Sequence, residues 1–146
     1  MLRLTKKGGL IKNQAVLFTF MEICAIIEEK EKYKEVKMAE FIICLILGIF
    51  CVVIGIINFK GNISTLHSYH RKRVSEEDRI PFGRVVGIGT ILNGAGLILF
   101  GFFNLLATLF TMQIFVTIGA VFLIAGLAVG LGFSFYGMIK YNKGIF

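Results

Sequence analysis

The chain has 146 residues, of which 56% are hydrophobic and only 17% charged, and its mean hydropathy is +0.81; soluble domains carry about 25% charged residues. The apolar residues form long uninterrupted runs, the mark of membrane spans rather than of a rich soluble core. The net charge of +7 flanks those runs without any RNA- or DNA-binding pattern, so it indicates juxtamembrane charge and excludes a nucleic-acid reading.

In chain order, residues 1–37 are basic and hold one apolar stretch, AVLFTFMEICAII, over residues 15–27. It is too short to span and is interrupted by Glu22; it reads as a marginal fourth crossing or a signal-like segment without a small-residue cleavage site. The first span is Phe41 to Phe59, free of charge and about 28 Å long as a helix, close to the ~30 Å hydrocarbon core. A charged loop follows over residues 60–84. The second span covers 84–103, opening near Pro81 or Val85, and Pro81 suits its first turn, where a missing N–H is harmless. The apolar run NLLATLFTMQ predicts a tight helical hairpin at the interface. The third span, 114–139, is long enough to cross with tilt. The expected fold is all-α, with three transmembrane helices and short helical segments in the charged loop.

From Met38 onward all eight Lys and Arg fall in the loop or after the third span, at Lys140 and Lys143. The positive-inside rule then puts loop 60–84 and the C-terminus in the cytoplasm and the start of the first span outside. Lys60, Arg84 and Lys140 mark the inner interface, with Tyr136 and Tyr141 as its aromatics. Eight further basic residues before Met38 would be forced outside. In addition, Lys34-Glu35-Val36-Lys37-Met38 back-translates as AAG-GAG-GTG-AAA-ATG, which places a ribosome-binding AGGAGG shortly before an ATG. Both observations point to a natural start at Met38, with residues 38–146 as the membrane domain. The competing reading is a genuine basic, partly helical extension.

Glycines recur at intervals of seven: Gly48 and Gly55; Gly87, Gly94 and Gly101, with Gly89 and Gly96 alongside; Gly119 and Gly126, then Gly130 and Gly137. Such a repeat returns to one helix face. Close backbone approach drives packing in lipid, so these stripes predict tight contacts within or between protomers, with a glycine-lined path as the alternative. Gly126 and Gly130 form a GxxxG. Asn93 is expected to make an interhelical hydrogen bond of about 0.6–2 kcal/mol. Cys24, Cys44 and Cys51 lie in apolar stretches without a CxxC and read as small buried apolar residues rather than metal or redox ligands. Apart from Arg84 at the opening of the second, the three spans contain no Asp, Glu, Lys, Arg or His, which counts against ion-coupled transport and leaves a passive pore open.

Any chemistry falls to the loop. Ser64–Val74 predicts a short helix capped by Asn62 or Ser64, with His67 and His70 on one face and Arg71 nearby. Ser75-Glu76-Glu77-Asp78 predicts the start of another, with acids near its positive end. His-x-x-His is a weak metal signal, and the cations Arg71, Lys72 and Arg73 repel a metal. Ser64, Ser68 and Ser75 have no nucleophile motif around them. The commoner meaning of Arg-Lys-Arg followed by Glu-Glu-Asp is a self-compensating solvated surface, a lipid-head patch or a docking site for a protein.

The run GNISTLHSYHRKRVSEEDRIPFGRVVGIGT, followed by a Gly-rich span, resembles a group of short uncharacterised membrane proteins of Gram-positive bacteria. In these a hydrophobic span precedes a polar loop of the His-x-x-His-Arg and Glu-Glu-Asp kind, then Gly-rich spans. The layout is also similar to domain-of-unknown-function families of small multi-span proteins. The likeness covers residues 41–103 and implies a bacterial plasma membrane, but no activity. The leading expectation is therefore a non-enzymatic accessory or regulatory membrane subunit acting through its glycine faces and cytoplasmic loop, with the bilayer and a protein partner or further copies as its contacts and no cofactor. A homo-oligomeric channel or passive transporter comes second, and a membrane enzyme using His67, His70 and Asp78 third.

Overall fold

The structure, a computed structural model, describes residues 2–67 and 72–142, with side chains from Phe18 onward. Three long helices are present: α1 (Leu2–Phe59), α2 (Arg79–Phe110) and α3 (Ile114–Tyr141), with a 3-10 turn at Ile63–Thr65 between the first two. Each has a stretch long and apolar enough to cross a membrane, and no strand occurs among the described residues. The protein is an all-α integral membrane protein of three spans.

The chain divides into two units, Met1–Val36 and Lys37–Phe146. In the first, the described side chains from Phe18 onward are all exposed, and Glu31 pairs with Lys34 at 3.1 Å. Residues 15–27 lie within α1, whose helix continues through Glu22. The second unit holds the rest of α1 with α2 and α3.

α1 stops where its sequence provides a stop. Gly61 takes a left-handed φ of +83°, its N–H donates to the Asn58 carbonyl at 2.8 Å, and the Asn62 N–H donates to Ile57 at 3.3 Å. This pair of bonds is a Schellman motif, which satisfies carbonyls left open at a helix end. α2 starts at Arg79 with Pro81 in its first turn, and its first bond runs from the Phe82 N–H to the Asp78 carbonyl at 2.9 Å.

The far end of α2 differs from expectation. The helix does not stop at 103 but runs to Phe110, so the hairpin is only Thr111–Gln113. No Gly or Pro interrupts Asn104–Phe110, and its polar side chains bond to their own helix. Asn104 Nδ2 donates to the Phe100 carbonyl at 2.9 Å and Thr108 Oγ1 to the Asn104 carbonyl at 3.1 Å, which satisfies them in apolar surroundings. Thr111, at φ +53°, turns the chain in the left-handed conformation common after a helix end. Phe103 stacks on Phe115 and Phe122, with ring centroids 6.4 and 5.6 Å apart, and fastens the hairpin. α3 ends at Tyr141, two residues past the predicted 139.

α2 is the central helix of the second unit. Gly87, Gly94 and Gly101 lie about 200° around the axis from Gly89 and Gly96, since two residues advance the helix by that angle. The first set meets α1 and the second meets α3. A Cβ placed on Gly55 would fall 2.8 Å from the Gly87 carbonyl oxygen, and one on Gly101 would fall 2.8 Å from Cys44 Cβ. On the other face a Cβ on Gly126 would lie 3.0 Å from the Leu92 carbonyl oxygen, and one on Gly119 would lie 3.0 Å from Phe103 Cβ. Both helices of the GxxxG contact are in the same chain, because Gly126 and Gly130 face Gly96 and Gly89 of α2. Dispersion between closely set backbones is the main cohesive force available in lipid, and these bald faces supply it.

Candidate functional site

The most completely buried side chains lie at one end of the bundle, beside the charged loop. Ile63 of the 3-10 turn packs with Phe82 and Val86 of α2, all but excluded from solvent, and Leu66, Val74, Met138 and Tyr141 surround them. The loop is thus anchored by its own apolar residues. Asn58 and Asn142 are fully buried at the same end; Thr65 Oγ1 donates to Asn58 Oδ1 at 2.5 Å, and the Asn142 N–H donates to the Met138 carbonyl at 3.1 Å.

This anchoring breaks the predicted loop helix over Ser64–Val74 at Leu66. Asn62 does cap, accepting from the Ser64 N–H at 3.2 Å, but the segment it opens is the three-residue 3-10 turn. Leu66 then becomes extended, with ψ 150°, because its side chain turns into the apolar cluster. The helix therefore does not run on through Leu66; Lys72 and Arg73 are helical, and residues 68–71 lie outside the described residues. The second predicted segment folds as a capped turn rather than a separate helix. The Ser75 hydroxyl accepts from the Asp78 N–H at 3.2 Å and donates to the Asp78 carboxylate at 2.8 Å, and α2 follows directly.

His67, Lys72, Glu76 and Glu77 are exposed, while Arg73 and Asp78 are half-buried. His70 and Arg71 lie outside the described residues, as does Ser68. Glu76 pairs with Arg79 at 3.3 Å, with 88% and 43% of their side chains exposed, so the pair adds little stability and remains open to exchange for another partner. Beside it a cavity of about 330 Å³ is lined by Ile63, Ser64, Val74, Glu76 and Arg79. Its lining joins the apolar Ile63 and Val74 to the Ser64 hydroxyl and one charge of each sign. Among the described residues, no three His, Cys, Asp or Glu side chains come together as metal ligands would.

Inside the spans, Asn93 departs from expectation. Its Oδ1 is buried and has no hydrogen-bond partner among the described residues. Instead it lies where a Cβ on Gly130 would point, so a Gly130 Hα faces the amide oxygen in a weak Cα–H···O contact. The glycine stripes enclose no path within one chain, because each is covered by the neighbouring helix. Of the cysteines, Cys24 is exposed rather than buried, whereas Cys44 and Cys51 are half-buried in α1, with their Cβ atoms against Gly101 and Gly94.

The three spans bring their basic ends together. Arg84 lies over the Phe59 ring, 6.0 Å from its centroid, next to Lys60, and Gly137 of α3 packs on Val85 and Val86, which sets Lys140 at the same end. Comparison with protein-family models, curated proteins and solved structures finds no match to this chain.

Proposed function

We propose that the protein is a non-enzymatic accessory or regulatory subunit of a bacterial plasma membrane, which binds a protein partner through the folded loop that closes one end of its bundle. The observation that carries this is the loop itself. It is anchored by Ile63, Leu66 and Val74 yet presents the exposed Glu76–Arg79 pair beside a cavity. An anchored surface loses less entropy on binding than a flexible loop. The glycine faces are taken up inside the chain, so they do not serve the partner.

The charge distribution supports an orientation with the start of the first span outside and the loop and C-terminus cytoplasmic. A homo-oligomeric channel would need its lumen between copies, since the contacts within one chain close the glycine faces.

The test is photocrosslinking in native membranes from a reactive residue replacing Glu77. An adduct with one protein, lost when Glu76 and Arg79 exchange identities, is the expected result. Recovery of neither a partner nor an oligomer would reject the reading.

A further inference from the structure

Among the described glycines, Gly132 alone has nothing within 4 Å of where a Cβ would stand. Its missing side chain serves no contact inside the chain and instead opens a groove on the outer face of α3. The groove has a volume of about 330 Å³ and is lined by Val129, Gly132, Phe133 and Tyr136. These residues and Lys140 share one helix face by their spacing of three, four and seven. The groove is apolar along its length and ends in a cation: Lys140 Nζ donates to the Tyr136 hydroxyl at 3.0 Å. The same ammonium lies 5.3 and 5.2 Å from the ring centroids of Tyr136 and Tyr141. Among the described residues no carboxylate pairs with it.

We infer that this groove binds one anionic phospholipid, with the phosphate on Lys140 and Tyr136 and one acyl chain laid over Gly132 towards Val129. The dimensions agree. At 1.5 Å per residue, Val129 lies about 16 Å along the helix from Lys140, and one leaflet is about half of a ~30 Å hydrocarbon core. The groove therefore runs from the interface to the bilayer middle, the path of a single chain. The polar end has the right donors. The Tyr136 hydroxyl accepts from Lys140 and keeps its own proton for a phosphate oxygen, and the ammonium has further N–H groups to donate.

The charge also selects lipid over a second copy of the chain. Two copies related by a two-fold axis normal to the membrane share one orientation, so an α3–α3 contact through this groove sets Lys140 beside Lys140. Like charges disfavour that pairing, whereas a phosphate satisfies the ammonium.

The experiment is native mass spectrometry of the full chain from micelles containing equal phosphatidylglycerol and phosphatidylcholine. The expected result is one retained lipid with phosphatidylglycerol preferred. Lys140→Gln should lower that preference about fivefold, the equivalent of about 1 kcal/mol for one lysine at an anionic surface. Gly132→Leu should reduce retention of both lipids while circular dichroism stays unchanged, because the leucine fills open space. Lys60→Gln, at the same interface, should leave the preference as it was. The inference is overturned if Lys60→Gln matches Lys140→Gln, since charge alone then explains the preference. It is equally overturned if Gly132→Leu changes nothing, or if it converts a dimer to a monomer.

Discussion

Gly48 of α1 and Gly94 of α2 face each other across the bundle so closely that neither position has room for a side chain. A Cβ on Gly48 would fall 2.9 Å from the Gly94 carbonyl oxygen, and one on Gly94 would fall 2.7 Å from the Gly48 carbonyl oxygen. Seven residues along, Gly55 meets Gly87 in the same reciprocal way, so the antiparallel register is set by glycines on both helices.

Substitution along this seam tests it directly. Gly94→Leu should lower stability by about 1–3 kcal/mol, the usual cost of overfilling a packed site, in reversible unfolding followed by circular dichroism in mixed micelles. Gly132→Leu makes the same change where a Cβ meets nothing within 4 Å and should stay within about 0.5 kcal/mol of wild type. Equal behaviour of the two variants would remove the α1–α2 contact from the account.

Asn93 and Gly130 give a second test. With no partner on its buried Oδ1, Asn93 has little hydrogen bonding to lose, and Asn93→Ala should cost less than about 1 kcal/mol. Gly130→Ala should cost more, because its methyl group meets the Asn93 amide and the Gly89 carbonyl. The two changes should couple, Gly130→Ala being milder in the Asn93→Ala background by about 0.5 kcal/mol or more. An additive cycle would show that the amide does not press on Gly130.

At the loop end, Phe82→Ala removes a fully buried ring from the cluster with Ile63 and Val86 and should cost about 3–5 kcal/mol. Ser75→Ala loses the hydroxyl that accepts from the Asp78 N–H and should cost about 0.5–1.5 kcal/mol, the net worth of one such hydrogen bond. Limited proteolysis reads both, since the loop opens to protease as its anchor weakens. A loop cleaved no faster in Phe82→Ala than in wild type would mean that it is not held by this cluster.

How legible these features were in the amino-acid sequence depended on the range of the interaction behind them. The spans were readable because an uncharged run of membrane length has few other uses. The end of α1 at Phe59 was readable too, with charge and Gly61 directly after it. The two-sided character of α2 was present in the two-residue offset between Gly87 and Gly89, but counting by sevens merges faces that point in opposite directions. The continuation of α2 to Phe110 was hidden because Asn104 and Thr108 resemble loop residues until their bonds to their own helix are seen. The break in the loop helix at Leu66 has a tertiary reason. Leu66 has ordinary helix propensity, and only the apolar cluster beneath it decides that the chain extends there. The notch at Gly132 could not be distinguished by sequence from the buried glycines around it, because the difference lies in which neighbour is absent.

Orientation is tested by thiol labelling with an impermeant reagent in intact cells, and the structure determines where the probes belong. The outer probe is Met112→Cys, in the exposed hairpin Thr111–Gln113. The inner probe is Ser75→Cys, in the exposed turn before α2. Both are built on Cys24→Ser, because Cys24 is itself exposed and would compete as a thiol in any chain that retains residues 1–37. The expected result is labelling at residue 112 and protection at residue 75 until the cells are permeabilised; the opposite pattern would invert the topology.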